Sequence, residues 1–108
     1  MRVLAVAVTY NPDIGLLTHM LNSVAPQVQG IAIVDNGSAN AKDIGKAALV
    51  VGAHLLANDQ NRGIAAAQNQ GLDVAQKGDF SHVLLLDQDT ILSPGVVADL
   101  AKNSAALE

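Results

Sequence analysis

Four short apolar runs, each followed by polar residues and separated by stretches with helical spacing, constrain this chain more than any other feature. The runs are Val3 to Thr9, Ile31 to Val34, a third somewhere within Leu49 to Leu56, and Val83 to Leu86. Between the first two, Ile14, Leu17, Leu21 and Val24 give one apolar stripe and predict a helix from about Asp13 to Val24, which Pro26 ends. A weaker helix is expected from about Ala41, an Ala-rich one over Ile64 to Gln76, and a last one from Pro94 to about Asn103 with Ser93 as N-cap. Strands that alternate with helices pair in parallel through right-handed crossovers. The expected fold is therefore α/β, an open parallel sheet of about four strands with helices on both faces. If the first and fourth strands are neighbours, the order is 3-2-1-4 and the loops after those two strands share one crevice at the switch point.

The polar ends of the runs are where chemistry is expected. Val83 to Leu86 reads as a strand buried on both faces, and it stops abruptly at Asp87-Gln88-Asp89-Thr90. With an extended backbone through Gln88, both carboxylates project to the same side. Held that close they repel, and a hard cation such as Mg2+ or Mn2+ is the natural neutralising partner. The same residues also suit a plain loop before a helix, whose dipole favours acids. Asp35-Asn36-Gly37-Ser38 after the second run is equally a turn, since Asn-Gly favours positive φ. The expected crevice would gather Tyr10, Asp35, Asp87 and Asp89, with Tyr10 stacking on a base or covering the sheet edge.

Asn61-Arg62-Gly63 leads into the Ala-rich helix, with Asn61 a natural N-cap and Arg62 either solvated surface or a phosphate contact. Asn69 and Gly71 weaken the middle of that helix and need a reason, such as a bond to a loop or a close backbone approach. His19, His54 and His82 share no metal-ligand spacing.

Composition narrows the classes. The 108 residues suit a single domain, 1–108, and with one Phe, one Tyr and no Trp its core must be aliphatic. A net charge of -4, with six Lys and Arg and no basic cluster, argues against nucleic acid or anionic lipid as a general partner. Without cysteine there is neither a disulfide framework nor thiolate chemistry, which suits a reducing compartment. The leading apolar stretch is too short and too abruptly ended for a signal peptide, and no run approaches the roughly 20 residues of a membrane span.

Taken together, Val8-Thr9-Tyr10-Asn11-Pro12, Val34-Asp35-Asn36-Gly37-Ser38, Asn61-Arg62-Gly63-Ile64-Ala65-Ala66-Ala67-Gln68-Asn69-Gln70-Gly71 and Leu86-Asp87-Gln88-Asp89-Thr90 resemble, in order and spacing, the N-terminal half of family-two inverting glycosyltransferases of the GT-A fold. The Asp-Gln-Asp form and the Ala-Ala-Gln-Asn-Gln-Gly run look like the bacterial rhamnosyltransferases of that family. The resemblance implies a nucleotide-sugar donor, dTDP-rhamnose for that subgroup, and a saccharide or lipid-linked saccharide acceptor. It implies that Thr9 and Tyr10, with Asn11 beside them, border the base and that Asp35 accepts a hydrogen bond from it. Asp87 would meet the ribose or the metal, and Asp89 would ligate the metal on the diphosphate. Asn61, Gly63, Asn69 and Gly71 would shape the pocket.

In this family the general base and acceptor site follow the Asp-x-Asp motif, and here only about one helix follows it. The expectation is thus a donor-binding half of a longer glycosyltransferase, cytoplasmic or peripheral at the inner membrane face, inactive alone and self-associating through surfaces left open. A catalytically inert, self-associating α/β fragment stands as the alternative. A receiver domain lacks its acidic pair after the first strand, a haloacid-dehalogenase-like phosphatase carries Asp-x-Asp on its first strand, and no Gly-x-Gly-x-x-Gly follows strand one.

Overall fold

The computed structural model describes residues 1–101. In chain order the elements are β1 (Val3–Thr9), α1 (Ile14–Val24), β2 (Gly30–Asn36), α2 (Ala41–Val51), β3 (His54–Asn58), α3 (Ile64–Lys77), β4 (His82–Leu86) and α4 (Val96–Ala101), with a short 3-10 turn at Ala25–Gln27 after α1. The strands form one sheet in the order β3-β2-β1-β4, and every neighbouring pair is parallel. The parallel pairing is what the alternation predicts, and the order is the one expected with the first and fourth strands as neighbours.

Strand periodicity sorts the core into two layers. Ala5, Ala7, Ile31 and Ile33 face α1 and α2, where Leu17, Met20, Leu21, Val24 and Ile44 close the larger cluster. Leu4, Val6 and Ala32 face the other way, towards Ala75 of α3. On this side the packing is close: a Cβ added to Gly71 would lie 2.3 Å from Val6 Cγ1. The glycine in the middle of α3 is therefore the close backbone approach that its position called for. Asp13 caps α1, its carboxylate accepting from the Leu16 amide.

Several boundaries differ from expectation. Leu49 and Val50 belong to α2 and are largely exposed, at 80% and 81%, rather than starting a strand. Gly52 adopts a left-handed conformation with φ 68° and its N–H returns to the Ala48 and Leu49 carbonyls, so the helix stops there and β3 begins only at His54. Strand β2 runs on through Asp35 and Asn36, both buried, before the chain turns at Gly37. The run before Asp87 is an outer strand of the described sheet, paired with β1 alone, and Leu85 is 48% exposed. The strands buried on both faces are β1 and β2. Finally, Pro94 and Gly95 form a turn in which the Val96 N–H donates to the Ser93 carbonyl, so α4 starts at Val96 and Ser93 is not its N-cap. The expected last turn through Asn103 lies outside the described residues. Among those described, no helix is long and apolar enough to cross a membrane.

Candidate functional site

A cleft of about 360 Å3 opens at the carboxyl end of the sheet, where β1 and β4 diverge. It is lined by Val8, Tyr10, Asn36, Asn61, Ile64, Asp87, Gln88 and Asp89. Of the residues expected at a site, it brings together Tyr10, Asn61, Asp87 and Asp89. Tyr10 is half exposed, and both acids are solvent-facing. The backbone does not stay extended through Gln88. It makes a turn in which the Thr90 N–H donates to the Asp87 carbonyl at 3.3 Å. Strand alternation therefore does not align the acids; the turn brings both to the cleft. Gln88, between them, points to the β1 loop, where its Oε1 accepts from the Tyr10 N–H at 2.9 Å and its Nε2 lies 3.5 Å from the Tyr10 carbonyl.

Thr9 and Asp35 lie beneath this cleft rather than in its wall. Both are essentially buried, and the Thr9 hydroxyl donates to Asp35 Oδ1 at 2.8 Å. The Ser38 hydroxyl donates to the same oxygen and the Ser38 N–H to Oδ2 at 3.0 Å. Asp35 thus ties β1, β2 and the turn after β2 together, and only Oδ2 keeps spare acceptor capacity. Asn11 is a brace between loops. Its N–H donates to Ser38 Oγ and its Oδ1 accepts from the Ala39 N–H, both at 2.8 Å, with its own backbone in the left-handed region at φ 45°.

The opposite wall is held by a polar network that the sequence did not nominate. Asn36 Nδ2 donates to the Gly63 carbonyl at 3.1 Å, while Asn36 Oδ1 accepts from Asn58 Nδ2 and the Arg62 N–H. Asn58 and Gln70 then exchange two hydrogen bonds, at 2.8 and 3.0 Å, which explains an amide in the middle of α3. The signal that could have revealed this is that β2 and β3 both end in Asn, at paired positions. Gly63, with φ 84°, is the N-cap of α3, and Asn61 instead accepts from the Gly63 N–H at 2.8 Å. Asn69 is exposed and is not among the cleft residues. Arg62 forms a surface ion pair with Asp59 at 3.6 Å, a contact worth little.

Among the described residues, the cleft lining contains two carboxylates and no Lys, Arg or His. Neither carboxylate is spent on a protein hydrogen bond or ion pair among the described residues. No third acidic or His ligand joins them there among the described residues. Two hard oxygen donors fit a cation that completes its sphere with water and ligand phosphates, as Mg2+ characteristically does, and do not fit an all-protein cage. A second hollow, about 260 Å3 between α1 and α2, is lined by Ile14, Leu21, Ala47, Val50 and Val51 together with Thr18, Asn22, Asp43 and Lys46, and lies away from the carboxyl end of the sheet.

The family model described as Glycosyl transferase family 2 matches residues 5–106. The chain belongs to glycosyl transferase family 2. It is 33% identical over 90 residues to the dTDP-rhamnosyl transferase RfbF of Shigella flexneri, covering 82% of this chain and 30% of RfbF. Two solved structures share the fold. TarS 1-349 of S. aureus, in complex with UDP-GlcNAc, superposes with a TM-score of 0.75 at 22% identity, over 94% of this chain and 30% of that one. Glucosyl-3-phosphoglycerate synthase of Mycobacterium tuberculosis, in complex with Mn2+, UDP and glucosyl-3-phosphoglycerate, gives 0.63 at 18% identity, over 81% and 33%. The chain spans about a third of the length of these relatives. Within this family-two domain, the cleft lies at the carboxyl end of a GT-A sheet, where the strand order reverses between β1 and β4.

Proposed function

We propose that this chain is the donor-binding part of a glycosyltransferase and that the cleft takes a nucleoside-diphosphate sugar together with a divalent cation. The observation that carries this reading is the charge of the cleft. A diphosphate brings further negative charge to Asp87 and Asp89, and among the described residues the lining offers no cationic side chain to offset it. A hard cation bound by the two acids would neutralise the diphosphate and help it leave. The chain's own residues supply the rest. Tyr10 presents an aromatic face for the base, Asn61 and Ile64 at the start of α3 close the opposite wall, and buried Asp35 keeps the loops under the base in place. Mn2+ and UDP in the synthase structure, and UDP-GlcNAc in TarS, support the ligand class. The relationship to RfbF favours dTDP-rhamnose as donor; a saccharide or lipid-linked saccharide acceptor, and a place in the cytoplasm or at the inner membrane face, are part of the same proposal.

Inverting transfer also needs a base within hydrogen-bond reach of the attacking hydroxyl. Both cleft carboxylates are assigned to the donor side, so the chain alone is expected to bind donor without transferring sugar. Calorimetric titration with dTDP, dTDP-rhamnose and UDP, each with and without Mn2+, tests the proposal. Metal-dependent binding is expected, abolished by EDTA and strongest for dTDP compounds. Absence of nucleotide binding under all conditions would favour the alternative of an inert, self-associating α/β unit.

A further inference from the structure

The β1·β4 ladder ends at the pair Ala7 and Leu86, and the strands then separate. Beyond that rung β4 has no other strand to lean on among the described residues, and its acids sit on a turn that leaves the sheet. Backbone pairing alone leaves the position of that turn relative to β1 loosely determined. What spans the gap is the Gln88 side chain, which addresses both the N–H and the carbonyl of Tyr10. A primary amide carries the same donor and acceptor pair as a peptide unit. Gln88 therefore continues the ladder across the switch point with its side chain, where the backbones have parted. Its shorter bond is the 2.9 Å acceptance from the Tyr10 N–H, and the 3.5 Å contact is the weaker half.

The consequence concerns the cleft. Asp87 and Asp89 flank Gln88 in the turn, and the Tyr10 backbone stands at the other end of the clamp, so this amide ties the base of the aromatic to the turn that carries the two carboxylates. We infer that Gln88 is a positioning residue: it touches no reacting atom but holds the acid-bearing turn in register with Tyr10, so that base and diphosphate are met together. This rests on the donor-binding reading for its effect on ligand, but not for the clamp itself. The side-chain requirement is narrow. Asn falls one methylene short, Met has the length without the polar atoms, and Glu keeps the acceptor for the Tyr10 N–H while losing the donor.

Two readouts test this on the 108-residue chain. In the absence of ligand, hydrogen exchange of the Tyr10 amide is followed by NMR in the wild type, Gln88→Met and Gln88→Glu. Protection in the wild type, its loss in Gln88→Met and its retention in Gln88→Glu are expected, with unchanged melting temperatures because the contact is at the surface. A Tyr10 amide that exchanges equally fast in wild type and Gln88→Met overturns the clamp. Calorimetry with dTDP and Mn2+ then reads positioning. Gln88→Met is expected to bind about three- to tenfold more weakly, the span of one net hydrogen bond. Lost amide protection with unaltered nucleotide affinity overturns the positioning role. A wild type that binds no nucleotide overturns the donor-binding reading and the positioning role with it, while the amide data still decide the clamp.

Discussion

The two acids of the cleft are unequal in their surroundings. Asp87 borders both the main cleft and an adjoining hollow lined by Val6, Gln68, Leu86 and Thr90, whereas Asp89 lines the main cleft alone. Under the proposed function Asp87, which leaves the sheet first, would meet the ribose or the metal, and Asp89 would ligate the metal on the diphosphate. Asp89→Asn removes the charge a hard cation requires, so metal-dependent dTDP affinity should fall roughly tenfold or more, about 1.4 kcal/mol. Asp87→Asn keeps an acceptor oxygen for a ribose hydroxyl, and its loss should stay within about 1 kcal/mol. Calorimetry on both variants decides; equal losses would mean that both acids ligate the metal directly. Asp35 shows how far residue type alone can be read. The resemblance implies that it accepts a hydrogen bond from the base; in the fold its oxygens also hold Thr9 and Ser38, with spare acceptor capacity left on Oδ2. Which acids are spent internally is decided by neighbours that sequence spacing does not specify.

At the scale of elements, α3 joins packing to the site. Gly71 lets its backbone approach Val6 of β1, and Gln70 on the next position reaches back to Asn58 at the end of β3. The helix start is then held over the cleft through Asn36 and the Gly63 carbonyl. Gly71→Ala would place a Cβ 2.3 Å from Val6 Cγ1, far inside van der Waals contact. Although alanine is the better helix former, overpacking should prevail, costing about 1–3 kcal/mol in urea unfolding. Nucleotide affinity should weaken with it, because Ile64 and the loop before it move with the helix. An unchanged or raised urea midpoint would show that α3 can shift without cost.

For the molecule as a whole, the described sheet has two outer strands, and beside β4 the partly exposed Leu85 accompanies an edge without a further partner strand. Such edges invite pairing. The expected outcome is a dimer or larger assembly, and a monomeric mass by light scattering at high concentration would oppose it. The alternation of apolar runs and helical stripes was enough to determine the α/β class and the parallel pairing, because crossover handedness leaves few topologies, while the order 3-2-1-4 followed only once the first and fourth strands were taken as neighbours. The polar strand ends likewise marked Tyr10, Asp87 and Asp89, since ligands gather where the sheet order reverses. The tertiary structure decided what local pattern leaves open. It made Val83 to Leu86 an outer strand, because apolar character records burial but not which neighbours provide it. It ended α2 at Gly52 instead of starting a strand at Leu49, and it turned Asn36, Asn58, Gln70 and Gln88 from polar punctuation into the bonds that position the cleft. Those bonds join residues from 12 to 78 positions apart, and only folding, by bringing such distant donors and acceptors within reach, determines which of them pair.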